Sequence, residues 1–209
     1  EDSTITGNRL NGINGTGGGG FTVRRTTVSD SVIGISMYFG GVTLDNVTLS
    51  GNTTGVSANT VTANRVFLYG NASGIQDVAT GSISNSVIAG GGTALTGMGF
   101  GVSITVKNVT VSLAGGVAFV LPVGTLNVSN SIIVAGTAYN PGANVTVTAN
   151  YNLYQVTVFS ALAPSLAAWR SLSSGDAASF TGDPLFVNPA GNDYHEQSTT
   201  GSWDPGTQS

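Results

Sequence analysis

Apolar residues recur along the chain at an interval of about 21 residues, usually directly after a glycine or another small residue. The steps between successive positions are 22, 21, 19, 20, 22 and 21 residues. The positions are Ile13, Ile35, Val56, Ile75, Leu95, Val117 and Ala138. A repeat of this length is typical of one coil of a solenoid. The pattern therefore predicts a stack of about seven similar coils.

Within each repeat, short segments alternate apolar and polar residues, as in Ser103–Val106 and Asn144–Thr148. This alternation, together with their Val, Ile and Thr, is typical of half-buried β-strands. We predict an all-β fold, a single-stranded right-handed parallel β-helix whose coils lie about 4.8 Å apart and form a rod roughly 35 Å long. A β-sandwich is the alternative, but hairpin pairing does not require like residues to return at a fixed interval.

Two more columns share the interval. One holds the residues that begin each apolar run: Ile5, Thr26, Val47, Val66, Val87, Val109, Ile132 and Asn152. The other is polar and lies just ahead of it: Arg24, Asp45, Asn64, Asn85, Lys107, Asn130 and Asn150. Asn side chains can hydrogen-bond to their copies above and below, so this column predicts a turn that is repeated in register.

The repeat fades after about Tyr154, so we expect coils over residues 1–154 and a C-terminal cap over residues 155–209. A short helix is predicted over about 164–173, because proline suits a first helical turn and Gly175 can end the helix. Three apolar residues are expected on one face of it: Leu162, Leu166 and Trp169. This helix would cover the apolar end of the solenoid.

The cap is expected to continue with a short strand over 183–189 and a polar tail. The chain begins without a methionine, and its first strand-like run, Ser3–Thr6, is already in phase with the repeat. We therefore expect a processed or excised part of something longer.

Charged residues make up only 8% of the chain, against about 25% in an average soluble domain. Ser, Thr, Asn and Gly must therefore supply the solvated surface. The net charge of -4 and only six basic residues argue against nucleic-acid binding. Without cysteine and with a single histidine, neither a thiolate nor a histidine metal cluster is available. We predict no cofactor, no metal and no membrane span.

Two segments, Asp45–Val56 and Asn64–Ile75, resemble the coil consensus of the right-handed parallel β-helix superfamily, which has the pectate-lyase-like fold. That superfamily includes pectate lyases and related polysaccharide-active enzymes, and also many large surface proteins and adhesins. The tail Asp183–Pro189, followed by Asp193–His195, is similar to a segment that often closes such β-helices in large exported bacterial proteins. The resemblance covers nearly the whole chain, and it implies the fold far more than an activity.

This chain departs from the family near its C-terminus. Family members commonly continue into a Ser-Pro-Ala-Ile-Asp stretch, whereas this chain has Ser198–Pro205 with the sequence Ser-Thr-Thr-Gly-Ser-Trp-Asp-Pro. The departure favours truncation or processing near the C-terminus.

Lyases with this fold resemble one another in using a basic residue to abstract a proton, while calcium or arginine neutralises the substrate carboxylate. Stacking by the repeat places Arg25, Asn46 and Arg65 in one column. The column beside it contains Arg24, Asp45 and Asn64. Arg25, Arg65 and Asp45 are therefore the candidate catalytic residues. A solvated face with a local ion pair explains the same residues more simply.

Other candidate chemistry is weaker. A glycosidase would need paired carboxylates, but three candidates fall on different parts of their coils: Asp30, Asp45 and Asp77. His195 would have to form a triad within a turn-rich tail. The Gly17–Gly20 run lacks the Lys-Ser/Thr of a phosphate loop and predicts a wide turn. Trp203 and Tyr194 could stack on sugars, although local packing is the commoner role of an isolated aromatic side chain.

Seven Asn-x-Ser/Thr sequons are candidate glycosylation sites, a small excess over chance for this composition. They are Asn14, Asn46, Asn52, Asn71, Asn108, Asn127 and Asn144.

The low charge and the lack of a convincing catalytic constellation favour a non-enzymatic, extracellular structural or adhesive module. We expect a stalk or filament-forming segment of a larger cell-surface protein. Its expected partners are further coils of the same polypeptide or other copies bound end to end, because an uncovered coil exposes strand edges. The alternatives are a lyase-like polysaccharide-active enzyme and a passive glycan-binding module on the same fold.

Overall fold

The computed structural model describes residues 1–99, 101–173 and 175–197. It is a parallel β-solenoid of about seven turns spaced about 21 residues apart, with 67% of residues in strands and one short C-terminal helix. The predicted solenoid is confirmed. The periodic apolar residues form strands because each buries one side against the coil interior while its neighbours face water.

The solenoid is built mainly from thirteen strands: β1 (Thr4–Thr6), β2 (Asn11–Gly15), β3 (Gly20–Arg24), β4 (Thr27–Ser29), β5 (Ile33–Ser50), β6 (Thr54–Tyr69), β7 (Ser73–Val78), β8 (Thr80–Ala89), β9 (Thr93–Gly97), β10 (Ser103–Ser112), β11 (Val117–Ser129), β12 (Ile132–Asn150) and β13 (Leu153–Val158). The C-terminal region adds α1 (Leu166–Ser173), β14 (Phe180–Thr181), β15 (Phe186–Asn188), a 3₁₀ turn (Pro189–Gly191) and β16 (Asp193–Glu196).

Each coil has three sides, and on each side successive coils pair as parallel strands. Face A comprises residues 4–6, 27–29, 48–50, 67–69, 87–89, 110–112, 132–134, 153–155 and 180–181. Face B comprises residues 11–15, 33–37, 54–58, 73–78, 93–97, 117–121 and 137–140. Face C comprises residues 20–24, 41–45, 60–64, 80–84, 103–107, 125–129 and 146–150.

The predicted column of apolar residues that begins at Ile13, here called the apolar ladder, is correct through Leu95 and wrong beyond it. Leu95 pairs with Phe119 rather than Val117, and Phe119 pairs with Tyr139 rather than Ala138. One residue separates β7 from β8, whereas five separate β9 from β10. This longer turn shifts the next coil. The interior therefore changes from aliphatic to aromatic side chains toward the C-terminal end.

Glycine precedes several ladder positions because the coils approach closely there. A Cβ on Gly55 would lie 2.7 Å from the carbonyl oxygen of Gly74 in the next coil. No ordinary side chain fits in that space.

The predicted turn column follows face C, but it combines two neighbouring columns. Arg24, Asp45 and Asn64 pair in register, and the next members are Ser84 and Ser129 rather than Asn85 and Asn130. The adjacent corner has a left-handed backbone with φ between +46° and +57° at Arg25, Asn46, Arg65, Asn85, Asn108, Asn130 and Tyr151. Asparagine is frequent there because it tolerates this conformation better than most residues.

The apolar-run column also needs correction. The inward positions after this corner are Ser86 and Ser131, whereas Val87 and Ile132 lie on the outward side of face A. Ser86 and Ser131 accept hydrogen bonds from the backbone N–H groups of Val66 and Val109, at 3.0 and 3.2 Å. From Val66 to Ser131 the repeat therefore alternates aliphatic and hydroxyl side chains at this buried position.

A buried asparagine ladder lies at the corner between faces A and B. Asn52 and Asn71 are each 2% exposed. The Oδ1 of Asn71 accepts from the backbone N–H of Asn52 at 3.0 Å, and its Nδ2 donates to the carbonyl of Leu49 at 2.9 Å. Each amide thus satisfies backbone groups that the turn leaves unpaired inside the coil.

The C-terminal end is closed by α1, whose observed start lies two residues after the predicted one. The hydroxyl of Ser165 accepts from the N–H of Ala168 and caps the helix. Trp169 is buried and stacks on Tyr139 with ring centroids 4.7 Å apart, whereas Leu162 precedes the helix and is 80% exposed. Parallel pairing continues beyond Tyr154, because β13 pairs with β14.

The predicted strand over 183–189 is the shorter β15, and part of the predicted polar tail forms β16, its antiparallel partner. This hairpin runs back along the outward side of face A, where Tyr194 packs against Phe67 and Phe186 with ring centroids 6.3 and 5.4 Å apart. Tyr194 thereby covers the apolar side chain that Phe67 presents there. None of the helices in the described ranges has the length and apolar character to cross a membrane.

Candidate functional site

The solenoid carries its charged candidates at the corner between faces C and A. As predicted, Arg25 and Arg65 share one column with Asn46, and Asp45 lies in the adjacent column. Arg25 forms an ion pair with Asp2 at 2.6 Å, and Arg65 forms one with Asp45 at 2.6 Å. These pairs are largely exposed to solvent. The column is thus a series of local ion pairs between stacked coils.

The electrostatics of this corner do not favour proton abstraction by Arg25. Its hydrogen bond and charge interaction with Asp2 raise the pKa of Arg25. The same hydrogen bond lowers the pKa of Asp2. A general base must be deprotonated before it acts, and both shifts stabilise the charged pair instead.

The other sequence candidates are not brought together. Asp30 and Asp77 each have a left-handed backbone, and each lies at a different corner from the one beside Asp45. His195 is 91% exposed and contacts Asp193 at 2.6 Å, which lowers the pKa of Asp193. The described residues contain no group of three or more His, Cys, Asp and Glu that could hold a metal ion.

The remaining aromatic and glycine candidates have local explanations or lie outside the described ranges. Tyr194 packs into the C-terminal hairpin, where burial raises its pKa. The Gly17–Gly20 run forms a bend that leads into β3. Trp203 lies outside the described residues.

Sequence reasoning missed a groove where faces B and C meet. Between Met37 and Gly41, β5 contains two more residues than the paired segment of β6, so Tyr38 and Phe39 bulge outward. They are 70% and 61% exposed, and their rings pack edge to face with centroids 4.3 Å apart. The interruption of the alternating pattern at Met37–Gly40 was the available signal for this bulge.

The bulge borders a groove of about 320 Å³. Its polar lining includes Ser57, Asn59 and Asp77, and a hydrogen bond of 2.6 Å from Ser57 fixes the Asp77 carboxylate. Exposed aromatic rings beside amide and carboxylate groups can bind a ligand that has both apolar and hydroxyl-bearing faces.

A second cavity, of about 560 Å³, lies between α1 and the last coil of face C. Its lining is mainly apolar and includes Val145, Val147, Leu162, Trp169 and Leu172. It results from the short α1 covering only part of the final coil. Its lining residues include none of the candidate catalytic residues proposed from the sequence.

The first coil is open on the side away from the second. Ile5, Ile13 and Phe21 are only half-buried, whereas their partners in the next coil are at most 1% exposed: Val28, Ile35 and Val42. Among the described residues, β1, β2 and β3 each pair with another strand on one edge only. Within the described residues, the first coil therefore has strand edges without a strand partner and apolar side chains that no other coil covers.

The sequons fall into two groups. Asn52 and Asn71 point inward and use their amide groups in the buried ladder, so we exclude them as glycosylation sites of the folded protein. The other five are exposed and stay predictions: Asn14, Asn46, Asn108, Asn127 and Asn144.

The chain matches no protein-family model, no curated protein and no solved structure. Its class is therefore defined by its own architecture, a parallel β-solenoid of about seven turns with one short C-terminal helix.

Proposed function

We propose that the chain is a non-enzymatic structural module of an extracellular, cell-surface protein of the parallel β-helix type, and that its first coil binds another β-coil. The observation that carries the proposal is the contrast between the two ends. At the first coil, strand edges and the side chains of Ile13 and Phe21 are available. At the last coil, Trp169 stacks on Tyr139 and blocks further stacking.

This asymmetry favours a stalk that ends at α1 over a filament that grows at both ends. Added strands pair by backbone hydrogen bonds and bury the apolar side chains of the edge coil. When the protein is studied alone, the partner of the first coil is the first coil of a second copy. Pairing of two identical first coils gives a symmetric dimer.

The backbone hydrogen bonds identify a position that tests this edge. The N–H of Arg25 donates to Asp45 on the second coil, whereas the carbonyl of Arg24 accepts from Asp2 on the opposite side. Backbone groups of successive strand residues point to opposite edges, so those of Thr22 and Arg24, two residues apart, point to the same edge. The N–H of Thr22 therefore lies on the edge away from the second coil. Proline at position 22 removes that donor without removing a hydrogen bond to the second coil.

The experiment compares the wild-type protein with Thr22→Pro and with the control Thr22→Val, which keeps the N–H and the β-branched shape. We expect wild type and Thr22→Val to form dimers as concentration rises in sedimentation velocity, and Thr22→Pro to remain monomeric. Circular dichroism must show the same β content in all three. A wild-type protein that stays monomeric over the whole range would contradict the proposal.

A passive glycan-binding role is the second candidate, and the Tyr38–Phe39 groove favours it. Sugar rings stack on exposed aromatic faces, while Asn59 and Asp77 can accept or donate hydrogen bonds to hydroxyl groups. Binding of soluble polysaccharides, followed by calorimetry, should be lost in Phe39→Ser and kept in Phe180→Ser, an exposed aromatic on face A. Equal binding by both variants would argue against this groove.

The lyase alternative is less well supported. Asp2 and Asp45 pair with the two candidate arginines at 2.6 Å, so both guanidinium groups are engaged in ion pairs at an exposed corner. Release of unsaturated products from acidic polysaccharides, abolished by Arg65→Ala, would favour the enzyme over the structural module.

A further inference from the structure

Face C presents a regular, exposed lattice of small polar side chains, of which all but Asn127 carry a hydroxyl group. Five consecutive rows have the form polar–inward–polar, and their outward pairs are Thr60/Thr62, Thr80/Ser82, Ser103/Thr105, Thr125/Asn127 and Thr146/Thr148. All ten side chains are exposed. Thr22 and Thr43 extend one of the two columns into the first two coils.

The lattice is regular in both directions. Pairing is one to one from row to row, and the register shifts of β5 and β11 lie outside these rows. Neighbouring rows are therefore about 4.8 Å apart, and the two outward residues of a row are about 6.7 Å apart. Stacked solenoid coils keep such spacings constant, whereas an open sheet would twist them out of line.

The hydroxyl groups of the lattice are almost all available to solvent. Among the described residues, Thr125 alone in this set makes a side-chain hydrogen bond to the protein, a long one of 3.5 Å to the carbonyl of Val102. Threonine is β-branched and has few rotamers on a strand. Each row thus holds hydroxyl and methyl groups at defined positions, where the hydroxyl groups can hydrogen-bond to water.

The chemistry of the lattice limits what it can bind. Its two columns contain neither the charged side chains that favour phosphate groups nor aromatic rings, whereas the third outward column of face C holds Arg24, Asp45 and Lys107. The nearest charged residue in these rows is Lys107, at the end of the third row. The C-terminal hairpin covers face A instead, where Tyr194 contacts Phe67. A flat, uncharged ligand with the same two repeats fits this surface.

We propose that face C is a binding surface for crystalline ice. The two repeats of the lattice lie close to oxygen–oxygen repeats in hexagonal ice. Water ordered over the hydroxyl and methyl groups would join the crystal surface, and five rows hold it at many points at once. Each contact is weak, so binding depends on the regularity of the whole array.

The test measures thermal hysteresis, the gap between the melting and freezing points of a single ice crystal, with the protein in solution. We expect wild type to produce a gap and to shape the crystal. Thr105→Lys places a long charged side chain in the middle row and should abolish both effects. Thr53→Lys, an exposed threonine at the corner between faces A and B, is the matched control and should retain them.

Two further variants separate the contributions of the side chain. Thr105→Val keeps the methyl groups and Thr105→Ser keeps the hydroxyl, and each should reduce the gap less than Thr105→Lys does. Circular dichroism and melting curves confirm that every variant is folded. Absence of hysteresis in wild type, or equal hysteresis in Thr105→Lys and Thr53→Lys, would overturn the proposal. A wild type that has no effect on ice but self-associates or binds cellulose, with that binding lost in Thr105→Lys, would also overturn the proposal.

Discussion

The most informative stability test concerns Asp176, the buried carboxylate beneath the C-terminal helix. Its side chain is completely buried. It accepts hydrogen bonds from Trp169 Nε1 at 2.7 Å and from the Tyr154 hydroxyl at 3.0 Å, and a further one from the Ser179 hydroxyl. Arg170 donates to the backbone carbonyls of Asp176 and Ser179 and holds the same loop. This one carboxylate therefore joins α1, β13 and the loop before β14.

Removing the carboxylate leaves several buried donors without an acceptor. A hydrogen bond to a charged group contributes about 1.5–3 kcal/mol, and each orphaned donor costs about 1–3 kcal/mol. Because these contributions are not additive, we expect Asp176→Ala to lower the free energy of unfolding by about 3–5 kcal/mol. Asp176→Asn keeps the shape and one acceptor, so its loss should be about 1–3 kcal/mol. A typical domain has only about 5–15 kcal/mol in total.

The assay is chemical denaturation followed by circular dichroism, with Glu196→Gln as the control because that carboxylate is exposed. The expected order of stability is wild type and Glu196→Gln, then Asp176→Asn, then Asp176→Ala. If Asp176→Ala unfolds at the same denaturant concentration as Glu196→Gln, the network does not stabilise the cap and the reasoning is wrong.

Three other outcomes follow from the structure. Asn71→Ala should cost about 2–4 kcal/mol in the same denaturation assay, because a buried backbone N–H loses its acceptor. Asn127→Ala, at an exposed position of β11, should cost well under 1 kcal/mol, and equal losses in the two variants would contradict the buried asparagine ladder. Arg65→Ala should change the free energy of unfolding by less than about 1 kcal/mol, since its ion pair is exposed; a larger loss would mean that the pair organises the corner. Burial raises the pKa of Tyr139 and Tyr154, so the folded state retains protons that the unfolded state loses above pH ~10. The free energy of unfolding should be unchanged below that pH and fall as pH rises. The double variant Tyr139→Phe/Tyr154→Phe should show a weaker fall with pH in urea titrations at several pH values.

The sequence was sufficient for the repeat and the fold class. In a solenoid the neighbour of each residue lies about one coil away along the chain, so local alternation and a constant interval together specify the sheet partners. The stacking of Arg25 on Arg65 through Asn46 could be predicted in the same way. The rule fails where a coil changes length. After the longer turn between β9 and β10, Val117 replaced Phe119 in the predicted column because both are apolar.

The sites depended on contacts that no interval describes. The sequon pattern at Asn71 does not distinguish an exposed amide from one that satisfies backbone groups inside the coil; burial decides it. Asp176 meets Tyr154 and Trp169 only because the cap folds back over the last coil. The hairpin likewise reaches Phe67 across several coils. Thus the sequence by itself determined the repeating strands, since their partners recur at a nearly constant spacing. The tertiary structure alone decided the two ends, the groove and the covered side, since these combine residues whose separations do not repeat.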